Sequence, residues 1–259
     1  MLVDYAEKIL NSYFALIPRF KPQNTKINQT LLIAHRGAHD NNLGIIENTL
    51  QAFKYAQEAG CWGIEFDIHF TADAVPVVNH DPTLNRLWGH DVAIAEVGFK
   101  ELRTIEPGIP SLSEVVEQFG HMHLFIELKT PVVDEESVTG ALNKLIPVND
   151  FHLLTLDPAN YHGLKKIPKQ AQLLVAVHHN SKKLCQLSIK ESYGGVVGSY
   201  LLLTNKKIRM LSDVNQVCGV GFVDSKNSLY REINRGVSWI FTNQAQKVGQ
   251  ELKNMQKIS

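Results

Sequence analysis

GIEFDIHFTADAVPVVNH, residues 63–80, is the stretch whose reading decides the fold. It holds two strand-like runs, GIEFDI (63–68) and VPVVNH (75–80), and only Thr71-Ala72-Asp73-Ala74 separates GIEFDIHF from VPVVNH. A parallel crossover needs a dozen or more residues, so these two runs must form an antiparallel hairpin. Further strand-like runs lie on both sides of it: LLIAH (31–35), HLFIEL (123–128), FHLLTL (151–156), QLLVAV (172–177), GGVVGS (194–199), QVCGVGFV (216–223) and WIFTN (239–243). Most are apolar on both faces, as suits strands covered by helices in a parallel sheet. With the hairpin's second arm set aside, eight runs alternate with helical patterns. The expected fold is therefore α/β, a TIM (β/α)8 barrel, with a doubly wound open sheet as the runner-up.

Several helix ends can be read between the runs. Ser111 and Glu114 have capping-box spacing, and Gly120 follows as a stop. Asp157-Pro158 pairs an N-cap with proline at the first helical position, and Gly60 and Gly236 read as helix stops. Ahead of the barrel, Ala6, Ile9, Leu10, Tyr13, Phe14 and Ile17 make one apolar stripe at helical spacing, ended by Pro18 and Pro22. Residues 1–30 are thus expected to form an N-terminal extension packed on a barrel domain of residues 31–250.

Composition narrows the function. The 259 residues carry 26 Lys+Arg against 26 Asp+Glu, which excludes a broadly basic nucleic-acid binder. No apolar run is long enough to span a bilayer, so no stable membrane insertion is expected. Asp4 and Glu7 make the N-terminus a poor signal peptide. Cys61, Cys185 and Cys218 are far apart and lack metal-ligand spacing, so they read as free thiols in a reducing cytoplasm.

Polar residues gather at strand ends, where TIM barrels carry their chemistry. His35-Arg36-Gly37 closes the first run, Glu65 and Asp67 lie in the second, His80-Asp81 ends the hairpin arm, and Glu127-Leu128-Lys129 ends the next run. Glu65 and Asp67, two apart, point to one face of their strand. Adjacent carboxylates in a barrel are unfavourable unless a cation or proton separates them. A hairpin folded about Ala72-Asp73 pairs positions summing to about 145 and sets His80 opposite Glu65. Glu127 is a third hard oxygen ligand, and three carboxylates without a cysteine cluster favour Mg²⁺ or Ca²⁺ over zinc. A lone acid at a strand end is usually solvated or salt-bridged, but a gathering of such groups at four strand arms is poorly explained that way. His39, His69, His90, His121, His178 and His179 stay structural or surface residues in this reading.

The order of these motifs, HRG at 35–37, ENT at 47–49, E-x-D at 65–67, HD at 80–81 and E-x-K at 127–129, resembles the glycerophosphodiester phosphodiesterase family. The match is strong over residues 31–129, weaker onward to about 245, and does not reach residues 1–30. The resemblance implies a TIM barrel with a small insertion, here residues 81–110. It implies Glu65, Asp67 and Glu127 as ligands of one divalent cation, and His35 and His80 as the general acid/base pair. It further implies Arg36 and Lys129 as phosphate holders and places Glu47 close to the site. The implied reaction is hydrolysis of a small-molecule glycerophosphodiester to sn-glycerol 3-phosphate and an alcohol. A lysophospholipase D-like activity on membrane lipid and a non-catalytic phosphate-ligand-binding barrel are the alternatives. The chain also departs from the family pattern: Ile46 stands where Pro often precedes ENT, and Thr242-Asn243 stands where the last strand usually ends in Thr-Asp. Val220-Gly221-Phe222-Val223 stands where a Trp-Thr pair is usual, with Phe222 in place of the Trp at the substrate's glycerol end.

Overall fold

The computed structural model describes residues 12–177 and 180–257. Ala6, Ile9 and Leu10 of the N-terminal stripe, and His178-His179, lie outside the described residues. The strands are β1 (Leu31–His35), β2 (Gly63–Phe70), β3 (Pro76–Val78), β4 (His123–Leu128), β5 (Phe151–Thr155), β6 (Gln172–Ala176), β7 (Gly195–Ser199), β8 (Val217–Gly221) and β9 (Trp239–Thr242). Their order is β1-β9-β8-β7-β6-β5-β4-β2, and β1 also pairs with β2, so the sheet closes on itself. All of these pairings are parallel, whereas β3 runs antiparallel along β2. The molecule is a TIM barrel with one extra hairpin arm, and the β1–β2 closure excludes the open sheet.

Strand alternation makes two apolar layers. Phe66, Ile64, Ile126 and Ile240 point outward and pack under the helices. Ile33, Phe125, Leu154, Leu173, Val175, Val197, Trp239 and Phe241 fill the lumen. Each such fully buried side chain contributes roughly 1.5–3 kcal/mol. That burial holds helices too short to persist alone in water. The helix Leu50–Ala59 starts at Thr49, whose hydroxyl accepts from the Ala52 N–H, and ends at Gly60 with φ +81°. The capping box of Ser111 and Glu114 is formed on Leu112–Phe119. Asp157 caps only a 3-10 turn, Pro158–Tyr161, instead of an α-helix. Residues 81–110 carry short helices at Asn85–Trp88 and Phe99–Ile105. They bury Leu84, Ile94, Leu102 and Ile109 with Val77 in a small core apart from the main one.

The hairpin register corrects the sequence expectation by one residue. The pairs Ile68↔Val78, His69↔Val77 and Phe70↔Pro76 sum to 146, not 145. Glu65 is therefore not opposite His80, and the ladder ends before either residue is reached. Beyond Val78 the chain leaves the strand, and the Asn79 N–H donates to the Asp67 carbonyl (3.1 Å). A continued strand in this register would put His80 on the face of Phe66, because facing residues share a side of the sheet. The break at Asn79 turns His80 back towards the lumen.

Candidate active site

At the end of β1 the chain turns sharply through Arg36 (φ +55°) and Gly37 (φ +77°). A Cβ on Gly37 would lie 2.8 Å from the backbone and side chain of Ala52, so only glycine lets this turn sit against the helix. The turn aims the Arg36 N–H at Glu65 Oε2 (3.0 Å). Parallel register sets His35 beside Glu65, and Asp67 beside Glu127. The three carboxylates thus converge, with one oxygen of each within 4.8 Å of the others. Glu65 and Asp67 are 2% and 1% exposed.

The electrostatics of this cluster are unfavourable without a cation. Burial and then the Asp67 charge push Glu65 up to about 8. Burial and the neighbouring carboxylates push Glu127 up to about 7. Asp67 is held below its usual range although burial opposes this, because Arg36, Lys129 and the Asn48 amide favour its charged form. Lys129 Nζ lies 2.7 Å from Glu127 Oε1 and 3.3 Å from Asp67 Oδ1. Arg36 Nε is 3.4 Å from Asp67 Oδ2 but is not aligned to hydrogen-bond it. Three buried hard oxygen donors, two of them difficult to ionise together, fit a divalent cation such as Mg²⁺ or Ca²⁺.

Each histidine at the mouth has one nitrogen tied and one free for chemistry. His35 Nδ1 is 2.7 Å from Asn243 Oδ1. Asn243 is itself oriented: its N–H donates to Asp224 Oδ1 (2.8 Å), and its amide Nδ2 faces Asp224 Oδ2 (3.4 Å). That leaves Oδ1 towards the imidazole, so Nδ1 carries the proton and the Nε2 lone pair points at the site. His35 Nε2 lies 3.8 Å from Glu65 Oε2. His80 Nδ1 donates to Asp81 Oδ1 (2.7 Å), which likewise frees Nε2. Burial lowers both imidazoles; for His35 the Arg36 charge adds to this, and for His80 the Asp67 and Asp81 carboxylates oppose it.

His35, Arg36, Glu65, His80, Glu127 and Lys129 line a 230 Å³ cavity at the C-terminal end of the strands. Phe222, which follows β8 at φ +66°, also lines it, with its ring 6.0 Å from that of His35. Glu47 stands behind Arg36, accepting from its Nη1 (2.9 Å) and from Arg86 Nη2 (2.8 Å).

Sequence reasoning missed the residues that hold these groups. Asn48 donates to Asp67 Oδ2 (2.9 Å) and accepts from the Asp67 N–H (3.3 Å). It lies inside the ENT motif, which was the available signal. Asn79 is buried; its amide donates to the Asp81 carbonyl (2.8 Å) and its oxygen accepts from Trp88 Nε1 (3.1 Å), which shapes the loop that carries His80. Arg86 Nε reaches Asp81 Oδ2 (2.5 Å) and joins the His80 arm to Glu47. His69 Nε2 donates to the His80 carbonyl (3.1 Å).

Residues 35–247 match the model of the Glycerophosphoryl diester phosphodiesterase family. The chain is 32% identical over 157 residues to a glycerophosphodiester phosphodiesterase of Caldanaerobacter subterraneus subsp. tengcongensis, covering 55% of this chain and 63% of that protein. It is 31% identical over 156 residues to human lysophospholipase D GDPD1, covering 53% of this chain and 48% of that protein. The matches thus span about half to two thirds of these curated relatives. A phosphodiesterase of Oleispira antarctica, solved with the product sn-glycerol-3-phosphate, shares the fold at TM-score 0.70 and 19% identity, over 86% of this chain and 96% of that one.

Proposed function

The chain belongs to the glycerophosphoryl diester phosphodiesterase family, and from that premise we propose that it hydrolyses glycerophosphodiesters to sn-glycerol 3-phosphate and an alcohol, with the aid of one divalent cation. One observation carries the proposal: two histidines, each with Nδ1 tied and Nε2 free, share a cavity with three converging carboxylates. Glu65, Asp67 and Glu127 would hold the cation, Mg²⁺ or Ca²⁺, which when bound neutralises phosphate charge and stabilises the transition state.

The remaining roles follow from this chain's own side chains. Arg36 offers the phosphate directional hydrogen bonds, and Lys129 a compact charge. His35, oriented by a neutral amide and lowered by burial and Arg36, is suited to take the proton of the attacking hydroxyl at Nε2. His80, oriented by a carboxylate that favours its charged form against the lowering by burial and Arg36, is suited to give its Nε2 proton to the departing alkoxide. Each transfer is worth roughly 10²–10⁴-fold. Water and the glycerol 2-hydroxyl both fit the nucleophile's role. Phe222 covers the apolar side of the glycerol, and Glu47 braces Arg36. Residues 1–30 serve as an extension and 81–110 as an insertion beside the mouth. The free cysteines Cys61, Cys185 and Cys218 suit a cytoplasmic location.

The test is to assay the purified protein on glycerophosphocholine, glycerophosphoethanolamine and lysophosphatidylcholine with each metal. Release of sn-glycerol 3-phosphate from the first two, lost on chelation and restored by Mg²⁺ or Ca²⁺, is expected. Activity that survives exhaustive chelation refutes the metal role, and turnover of lysophosphatidylcholine alone refutes the substrate assignment.

A further inference from the structure

Away from the mouth, an open pocket of 550 Å³ is lined by Arg19, Phe20, Asn205, Arg231, Asn234 and Arg235. Three guanidiniums meet there, and the carboxylate paired with them, Glu232, is fully buried between Arg231 and Arg235. Arg235 also donates to the Tyr200 and Leu203 carbonyls and to Asn205 Oδ1 (2.7 Å). The Arg231 guanidinium carbon lies 5.0 and 5.3 Å from the ring centres of Phe14 and Tyr200. Arg19 has no such commitment. Its Nε is buried without a hydrogen-bond partner, and it makes no ion pair among the described residues. A half-buried guanidinium whose Nε lacks a partner, beside two others that share one carboxylate, leaves surplus positive charge, which a phosphate oxyanion would satisfy in bidentate fashion.

The neighbouring surface indicates where that phosphate comes from. Tyr13, Leu16 and Phe20 are 60%, 80% and 94% exposed, within one eight-residue stretch. They are held outward by the opposite side of the same segment: Phe14 packs inward on Tyr200 and Arg231, and Asn227 and Asn234 donate to the Ala15 and Phe20 carbonyls (2.7 and 3.0 Å). Large apolar side chains beside a cationic pocket, with Lys21 and Lys26 close in sequence, are the chemistry of an interfacial surface. Apolar groups enter the acyl boundary while cations meet the headgroups. No helix among the described residues is long and apolar enough to cross a membrane, so the contact is with the surface.

We propose that residues 12–21 and the arginine pocket dock the protein on an anionic phospholipid bilayer, with a headgroup phosphate between Arg19 and Arg231. The test uses the full chain, sedimented with vesicles of phosphatidylcholine alone or mixed with phosphatidylglycerol. Binding to the mixed vesicles, weakened by salt, is expected. Arg19→Gln should weaken partitioning about fivefold, the value of one surface cation. Phe20→Ser should weaken it by about tenfold or more, from the loss of one buried phenyl. Neither residue touches the catalytic cavity, so both variants should hydrolyse a water-soluble glycerophosphodiester at the wild-type rate. That readout separates failure of docking from failure of the catalytic reading. Absent binding, equal binding to neutral vesicles, or variants that bind like wild type would each overturn the proposal. Inorganic phosphate that raises the melting temperature of wild type but not of Arg19→Gln, with no vesicle binding, would reassign the pocket to a free anion and overturn it as well.

Discussion

The two ends of the barrel lumen use the same residue types in opposite ways. At the floor, His123 Nδ1 donates to the Asn149 carbonyl (3.0 Å), and His123 Nε2 meets His152 Nδ1 at 2.8 Å. With one proton committed to the carbonyl, His123 Nε2 must accept, so His152 donates. Trp62 stacks on His123 at 4.4 Å, and Phe125 and Trp239 close around His152. Burial, against the Asn149 carbonyl and the Asp150 charge, lowers His123 to about 4, and burial with the neighbouring His123 lowers His152 to about 3. At the mouth, His35 and His80 each keep one nitrogen free, beside carboxylates that resist sharing the same space. The floor is satisfied and neutral, so it supports the fold. The mouth is charged and incompletely neutralised, so it is poised for a ligand at the expense of stability.

The largest expected effect separates the ends by rate. His35→Ala or His80→Ala should lower kcat by roughly 10²–10⁴-fold, about 3–5 kcal/mol, with the melting temperature nearly unchanged. His123→Leu/His152→Leu should leave kcat near wild type. A mouth variant that unfolds instead of slowing turnover would break the comparison.

The next effect is acid sensitivity of the floor. Unfolded histidine titrates near 6.5, above both folded values, so the unfolded chain takes up protons first as pH falls. Stability is fully present above about pH 6.5 and is lost progressively down to about 4 for His123 and 3 for His152. By pH 5 the loss is about 2 kcal/mol per imidazole. Urea unfolding at pH 7 and 5 should show it, and the double leucine variant should largely abolish it.

The mouth should respond with the opposite sign. Glu65 titrates at about 8 when folded, above its ordinary 4.5, so the metal-free protein loses stability as pH rises between these values. In chelated protein at pH 8, Glu65→Gln should therefore be more stable than wild type by roughly 4 kcal/mol. Added Mg²⁺ or Ca²⁺ should stabilise wild type and leave Asp67→Asn nearly unmoved. Calorimetry that finds Glu65→Gln less stable under chelation would show that the carboxylates are not in conflict.

The smallest effect concerns orientation alone. Asn243→Ala frees the His35 ring without changing any charge, and should lower kcat about tenfold, near the 1 kcal/mol or so of one hydrogen bond. A crystal structure of the variant with His35 unmoved and full activity would remove Asn243 from the account.

How much of this was legible beforehand depended on distance along the chain. The barrel could be read from strands apolar on both faces and from a four-residue connection too short for a crossover. The carboxylates, both histidines, Arg36 and Lys129 stood at strand ends in recognisable order. The register of the hairpin was missed by one residue, because turn geometry and not pattern sets it, and a one-residue slip exchanges the faces. The partner of His35 was missed because it lies 208 residues away, where it had read only as a departure at Thr242-Asn243.

The sequence by itself determined which groups could do chemistry, since residue type and strand period decide what points into the lumen. The tertiary structure alone decided which nitrogen of each histidine is free, that Asn79 turns His80 back to the site, and that three carboxylates lie within 4.8 Å. Those outcomes depend on ring closure. Only when β1 pairs with both β2 and β9 do Glu65 and Asn243 meet at His35 from opposite sides, and no local preference encodes that meeting.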